Sequence, residues 1–354
     1  MARAYLVRPT RAIVTRRTPE LWLHDGTLGR DLFAYLGVPR SYVDPSVVIK
    51  RHKEAYVDAR TRLCLDADGQ ALTVNMRVPP DTPHIAAHLE AMREHIAAGR
   101  VSTLDESGPL AVLATSDHAN YYHFLCEDLG RVGFYTKVKA LRHARFPVPP
   151  PTSWQHDYYR LAGLEARHLP LPKGVWRLRK VWVAPRGHGL IAELHSRAID
   201  WLRQIGDRVA GEDAVAPRPR RIYVSRAGTR HRRLLNEDQV QRLATELGFT
   251  TVRPETLPVS EQIRLFRGAD VVMGTFGAGL TNALFMRPGA LLLEIAPAKS
   301  TALPQIHNAI FTTVAGLCDL RYGLLSAPSE GVMPETHDFT VPLDWLRALL
   351  TLAQ

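Results

Sequence analysis

The fold is decided by RIYVSRAGTRHRRLLNE at residues 221–237, DQVQRLATELGFTTVR at 238–253 and, one helix later, ADVVMGTFGAGLTNALFMRPGALLLEIAP at 269–297. RIYVS is a short apolar run that reads as a buried strand. Asn236 is placed to cap a helix over residues 237–247, and Gly248 to end it. Residues 249–253 read as the next strand. A helix with Ile263, Leu265 and Phe266 on one side then starts near Val259, and residues 270–276 form a third strand. The turn Gly277-Ala278-Gly279 leads into a short helix, and LLLEIAP (291–297) is a further strand. Apolar strands alternating with helices specify a parallel sheet covered on both faces, a Rossmann-like domain.

Working outward, the proline-rich run AVAPRPRR at 214–221 reads as a linker and marks the main domain boundary; a second such run, FPVPPPT, lies at 146–152. The first half is harder to read. Residues 84–99, 121–135 and 190–209 have helical patterning, and AVLAT (111–115) and KVWVAP (180–185) read as strands, which makes this half α/β as well. The tail VPLDWLRALLTLAQ reads as a closing helix. The expected organisation is therefore a first domain over 1–215, a Rossmann-like domain over 216–335, and a C-terminal helix over 336–354 packing back on the first domain.

A chain of 354 residues exceeds the roughly 250–300 at which one core stops growing, which agrees with two domains. With 45% hydrophobic and 23% charged residues the composition excludes a disordered or fibrous chain. The formal charge of +10 is carried largely by arginine, whose planar fork grips phosphate, so an anionic partner is expected. Nucleic acid, an acidic membrane surface and a nucleotide-diphosphate sugar all satisfy that charge. Cys64, Cys126 and Cys318 are scattered, as suits a reducing cytoplasm. The opening residues lack the apolar stretch of a secretion signal, and no run approaches the ~20 apolar residues of a membrane span, so any membrane contact is expected to be peripheral.

Three segments carry candidate chemistry. The turn from Thr275 through Phe276, Gly277, Ala278, Gly279, Leu280 and Thr281 to Asn282 joins a strand end to a helix start, where ligands of open α/β sheets bind and free amides attract phosphate. Taken alone, it equally serves as a plain connection. After RIYVS, the residues Ser225, Arg226, Arg230, Arg232 and Arg233 crowd a loop that enters a helix, and such a cluster neutralises a diphosphate leaving group. Glu294 lies inside an apolar strand, where a carboxylate needs a partner: a ribose or sugar hydroxyl pair, or a structural arginine. In the first half, a helix over 121–135 stacks Asn120, His123, Glu127 and Arg131 on one face, and His123 or Glu127 is placed as a general base.

LDADG at 65–69 has the Asp-x-Asp spacing of metal-dependent transferases but reads as a hairpin turn, and His84 and His88 lack an evident third ligand, so no metal is assigned.

Together, NYYHFLCEDLGR (120–131), YVSRAGTRHRRLLNEDQV (223–240) and FRGADVVMGTFGAGLTNALFMRPGALLLEI (266–295) resemble glycosyltransferase family 61 over residues 120–296. The resemblance implies a GT-B-like fold of two Rossmann-like domains facing a central cleft, an inverting mechanism, and donor binding in the C-terminal domain. It places Ser225, Arg226, Arg233, Asn236, Gly277, Ala278, Gly279, Leu280 and Asn282 on the donor, to which the reading of the residues themselves adds Arg232, Thr275, Phe276, Thr281 and Glu294; Asn120 and Arg131, with the adjoining Tyr122, are placed near the acceptor, with His123 or Glu127 catalytic. Two positions depart from the family pattern: Phe276 stands where it usually has His, and Gly130 where it usually has Pro. The expected activity is transfer from a nucleotide-diphosphate sugar to a glycan hydroxyl, on the cytoplasmic side and with no further cofactor. A small-molecule acceptor and a non-catalytic nucleotide-sugar binder are the alternatives. A nucleic-acid partner is less favoured, because the arginines concentrate at a mononucleotide-type sheet edge.

Overall fold

A computed structural model describes residues 4–24, 27–28, 33, 38–73, 76, 79–113, 119–186, 193–211, 218–230, 232–298, 309–328 and 338–352. The chain divides into two compact units. One takes in Met1–Ala12, Pro45–His188 and His195–Ile205, the other Ile13–Asp44, Gly189–Leu194 and Gly206–Gln354. Half of the expected linker, residues 214–217, lies outside the described residues, as do 114–115 and 190–192.

The second unit is built on a seven-stranded sheet in the order Thr250–Val252, Arg221–Val224, Val271–Thr275, Leu291–Pro297, Arg321–Ala327, Leu21–His24 and Thr27–Leu28. The first six strands run parallel, and the seventh returns antiparallel from the sixth. The alternation read from 221–297 is thus present, with helices Glu237–Glu246 and Val259–Gly268 and the 3₁₀ helix Ala278–Phe285 between strands. One face of the sheet buries Tyr223, Met273, Leu293, Ile295 and Leu325 against Val240, Leu243 and Ala244 of the first of these helices.

The closing helix, Leu343–Leu352, belongs to this same core. Its Leu346, Leu349 and Leu350 are fully buried in it, which corrects the expectation that it packs back on the first domain. At about 1.5–3 kcal/mol per buried leucine, this docking is worth a sizeable part of a domain's net stability. Nor did the sequence announce that Ile13–Asp44 joins this unit. Buried Arg16 helps hold it there, its Nε donating to Thr313 Oγ1 (3.2 Å) beside the Arg17 N–H bond to Thr312 O (2.8 Å), while its guanidinium and backbone N–H bind the Pro39 and Arg40 carbonyls within the segment.

The first unit differs from a doubly wound domain. Its sheet runs Ala4–Val7, Val47–Asp58, Val175–Val183, Ser102–Leu104, and the long central strands Val47–Asp58 and Val175–Val183 are antiparallel. Ala55, Val57, Leu178, Val181 and Val183 form one core, and Ile85, Leu89 and Met92 of helix Pro83–Ala97 pack with Tyr56 and Leu65 in another. The LDADG segment is the expected hairpin turn: Asp66 Oδ1 accepts from Asp68 N and Gln70 N, and Leu65 pairs with Ala71 across it. No helix among the described residues is long and apolar enough to cross a membrane.

Candidate functional site

In the second unit the chain leaves strand Arg221–Val224, adds Thr250–Val252 on one side, then crosses to add Val271–Thr275 on the other. This reversal of strand order parts the connecting loops and leaves a crevice beyond the strands' carboxyl ends. A cleft of about 380 Å³ occupies that place, lined by residues 224–229, 253–255, 275 and 278–280. The arginine-bearing loop and the glycine-rich turn therefore converge on one cavity.

The loop is held by a residue that sequence reasoning missed. Glu237 opens the helix after the loop, and its Oε1 accepts from Ser225 Oγ (2.7 Å), Arg226 N (2.8 Å) and Tyr223 OH (3.2 Å). Three donors on one buried carboxylate oxygen fix how the strand end turns into the cleft. Arg226 is seated against Gly277: a Cβ built at 277 would lie 1.7 Å from Arg226 Nη1 and 2.8 Å from Cζ. The backbone of Gly277 is extended (φ 170°, ψ 169°), so it is this close approach, not strain, that calls for glycine.

Burial, and then the proximity of Arg232, lowers the Arg226 guanidinium to about 10, with Glu237, Glu255 and Tyr223 acting in the opposite sense. It stays cationic at neutral pH. Arg232 lies over the Phe276 ring with Cζ 4.9 Å from the centroid, and Phe276 meets Phe311 edge-on at 5.9 Å. The phenyl group standing at the family's usual His position thus supports a second guanidinium through its π face. Thr275 Oγ1 is buried beside the cleft and has no hydrogen-bond partner among the described residues.

Of the expected donor residues, Ser225, Arg226, Thr275, Ala278, Gly279 and Leu280 line the cleft, and Phe276, Gly277 and Arg232 support Arg226 or stand next to it. The others face elsewhere. Arg233 is held by Asp338, Nε to Oδ2 at 2.8 Å and Nη2 to Oδ2 at 2.5 Å, and this raises its pKa. Asn236 stands at the start of its helix without capping it. Its side chain exchanges hydrogen bonds with the Val341 backbone instead, at 2.8 and 3.0 Å, because the C-terminal segment offers a complementary amide there.

Thr281 and Asn282 are fully buried, and Asn282 Nδ2 donates to Gln262 Oε1 (3.0 Å), tying the turn to the neighbouring helix. Glu294 is sealed in the sheet beside Gly274 and outside the cleft lining. Its partner is the Tyr322 hydroxyl (2.5 Å) rather than an arginine, and burial pushes its carboxyl up to about 8. Arg253 and Glu255, joined by a 2.9 Å hydrogen bond, complete the lining. They went unrecognised although the end of the strand adjacent to the loop strand was the place to look.

In the first unit, the expected helix over 121–135 is broken into α-helical Tyr121–His123, a π turn Phe124–Asp128, a 3₁₀ turn Leu129–Arg131 and α-helical Val132–Tyr135. Asn120 caps the start, accepting from Tyr122 N (2.9 Å) and His123 N (3.3 Å). His123 Nδ1 and Glu127 Oε1 are 2.8 Å apart, with the histidine side chain 12% exposed and the glutamate 1%. Inserted π turns recur at functional sites. Tyr122 is buried edge-on to the His123 ring, and Arg131 is completely buried, so neither presents an open surface to an acceptor. Gly130 lies against Ala198 of helix Ser196–Gly211, 3.0 Å from a built Cβ. Among the described residues, no group of three or more His, Cys, Asp or Glu is placed to hold a metal.

Arg226 and Arg253 thus stand in a cleft at the reversal point of a parallel α/β sheet. Residues 121–293 match the family model for Glycosyltransferase 61. It is 42% identical over 97 residues to a beta-1,2-xylosyltransferase of Oryza sativa subsp. japonica, covering 27% of this chain and 17% of that protein. An alpha-1,3-arabinosyltransferase of the same plant is 38% identical over 108 residues, covering 30% and 18%. A xylan glycosyltransferase of Arabidopsis thaliana is 29% identical over 131 residues, covering 36% and 26%. The chain thus aligns with no more than about a quarter of the length of these relatives.

Proposed function

We propose that the protein is a glycosyltransferase that takes a nucleotide-diphosphate sugar into the cleft of the second unit and passes the sugar, with inversion, to a hydroxyl of a glycan. The observation that carries this reading is the Arg226 guanidinium seated on Gly277 at the reversal point of a parallel sheet, with Arg232 close by. Two cations brought near each other against their own repulsion favour a ligand with two linked negative charges. In the transfer, the acceptor oxygen bonds to the anomeric carbon as the bond to the diphosphate oxygen breaks. The departing charge is met by Arg226 and by the amides that open helix Ala278–Phe285.

His123 is the base in this reading. With Glu127 accepting from Nδ1–H, the ring is fixed in the tautomer whose Nε2 takes the acceptor proton. The family match and relatives named for xylosyl and arabinosyl transfer make pentose donors and xylan-type acceptors the first to try.

Incubation with UDP-xylose, UDP-arabinose and UDP-glucose over a set of oligosaccharide acceptors, followed by product mass spectrometry, tests the reading. Transfer is expected, with kcat reduced 10²- to 10⁴-fold in His123→Ala and the donor KM little changed. Donor binding without turnover in the wild type supports the alternative of a sugar-nucleotide binder. Absence of binding by any nucleoside diphosphate refutes both.

A further inference from the structure

We infer that Glu255 makes the cleft a ribonucleotide site by accepting hydrogen bonds from both ribose hydroxyls, an assignment that rests on the proposed function and extends it. The cleft has two chemically distinct walls. Arg226 and the glycine turn make one cationic, while residues 253–255, at the end of the strand on the opposite side of the loop, carry the one carboxylate among the described lining residues. A carboxylate repels phosphate, so the ligand group it meets, beside its own Arg253 partner, is neutral and rich in O–H donors. A 1,2-diol offers two such donors spaced for the two oxygens of one carboxylate; the ribose of a ribonucleoside diphosphate carries one, as does the sugar at the other end of the diphosphate, and the strand order favours the ribose.

The topology places Glu255 correctly for that role. The phosphate loop follows Arg221–Val224, and Glu255 follows Thr250–Val252, the strand paired directly beside it. In doubly wound sheets an acidic residue one strand over from the phosphate loop reads the ribose hydroxyl by the same geometry. Arg253 Nε donates to Glu255 Oε1 at 2.9 Å and orients the carboxylate without burying it, both side chains being at least half exposed.

Calorimetric titration of the full chain with inorganic pyrophosphate, UDP, 2′-deoxy-UDP, GDP and 2′-deoxy-GDP tests the assignment, in wild type and Glu255→Ala. The quantity read is the ratio of ribo- to deoxy-affinity within each protein, so the changed net charge cancels. The wild type is expected to prefer the ribonucleotide on the order of tenfold, and the variant to bind ribo and deoxy forms equally while holding pyrophosphate at least as tightly as the wild type. Equal binding of both sugars by the wild type, or a preference that survives in Glu255→Ala, overturns the assignment and leaves the diphosphate site standing. Failure of the wild type to bind pyrophosphate and every diphosphate overturns the proposed function with it.

Discussion

Gly277→Ala separates the seat of Arg226 from everything else in the site. The backbone at 277 is extended, a conformation any residue adopts, so the added methyl introduces no torsional strain. It does fall 1.7 Å from Arg226 Nη1, less than half a contact distance, and the guanidinium has to move. The far end of a flexible side chain moves cheaply, so the melting temperature is expected to change little. On the proposed function, what is lost is a charge-assisted hydrogen bond to phosphate, worth about 1.5–3 kcal/mol. That corresponds to a roughly 10- to 150-fold weaker Kd for UDP or pyrophosphate. Because the methyl acts through Arg226, the double variant Gly277→Ala/Arg226→Ala is expected to bind no worse than Arg226→Ala alone, and a double-mutant cycle by calorimetry reads this coupling directly. Wild-type affinity in Gly277→Ala, or losses that simply add in the double variant, would refute the proposed seat.

Three other perturbations address separate parts of the unit. Glu237→Ala removes the acceptor shared by Ser225, Arg226 and Tyr223 and is expected to destabilise by at least about 2 kcal/mol in urea unfolding, with donor affinity falling as the loop loosens. Phe276→Leu deletes the ring beneath Arg232; at about 0.5–2 kcal/mol for a cation–π contact, UDP is expected to bind roughly 3- to 30-fold more weakly, an effect absent in an Arg232→Ala background. Glu294 concerns pH: its ordinary value of 4.5 is raised to about 8, so between these limits the folded chain holds a proton that the unfolded chain has released. The stability this lends is complete below the lower value and is lost as pH rises toward 8. Melting temperatures across pH 5 to 9 are expected to show that decline in the wild type and a flatter profile in Glu294→Gln.

How much of the site could be read in advance follows from the range of each interaction. Gly277 and Arg226 stood out because turn chemistry and a strand-end position are local signals, and their convergence follows from adjacent parallel strands. Arg232 and Arg233 are neighbours of identical chemistry, yet one stacks on Phe276 and the other is taken by Asp338, 105 residues further along. Nothing within reach of a sequence pattern separates them. Asn236 has the residue type of a helix cap, but the distant backbone of Val341 competes for the same amide. In the first unit the spacing of His123 and Glu127 brought them together even though a π turn replaced the expected α-helix.

By itself, the sequence determined the alternation of strands and helices over 221–297 and the glycine turn at the sheet edge, because periodicity, capping and turn preference act over a few residues. The tertiary structure decided what depends on partners far apart in the chain. It brought Leu21–His24 into the C-terminal sheet, docked the last helix on the same core, drew three donors onto Glu237, and chose which arginine faces the cleft. Burial and charge pairing make those choices, and both are properties of a packed interior that exists only once the chain has folded.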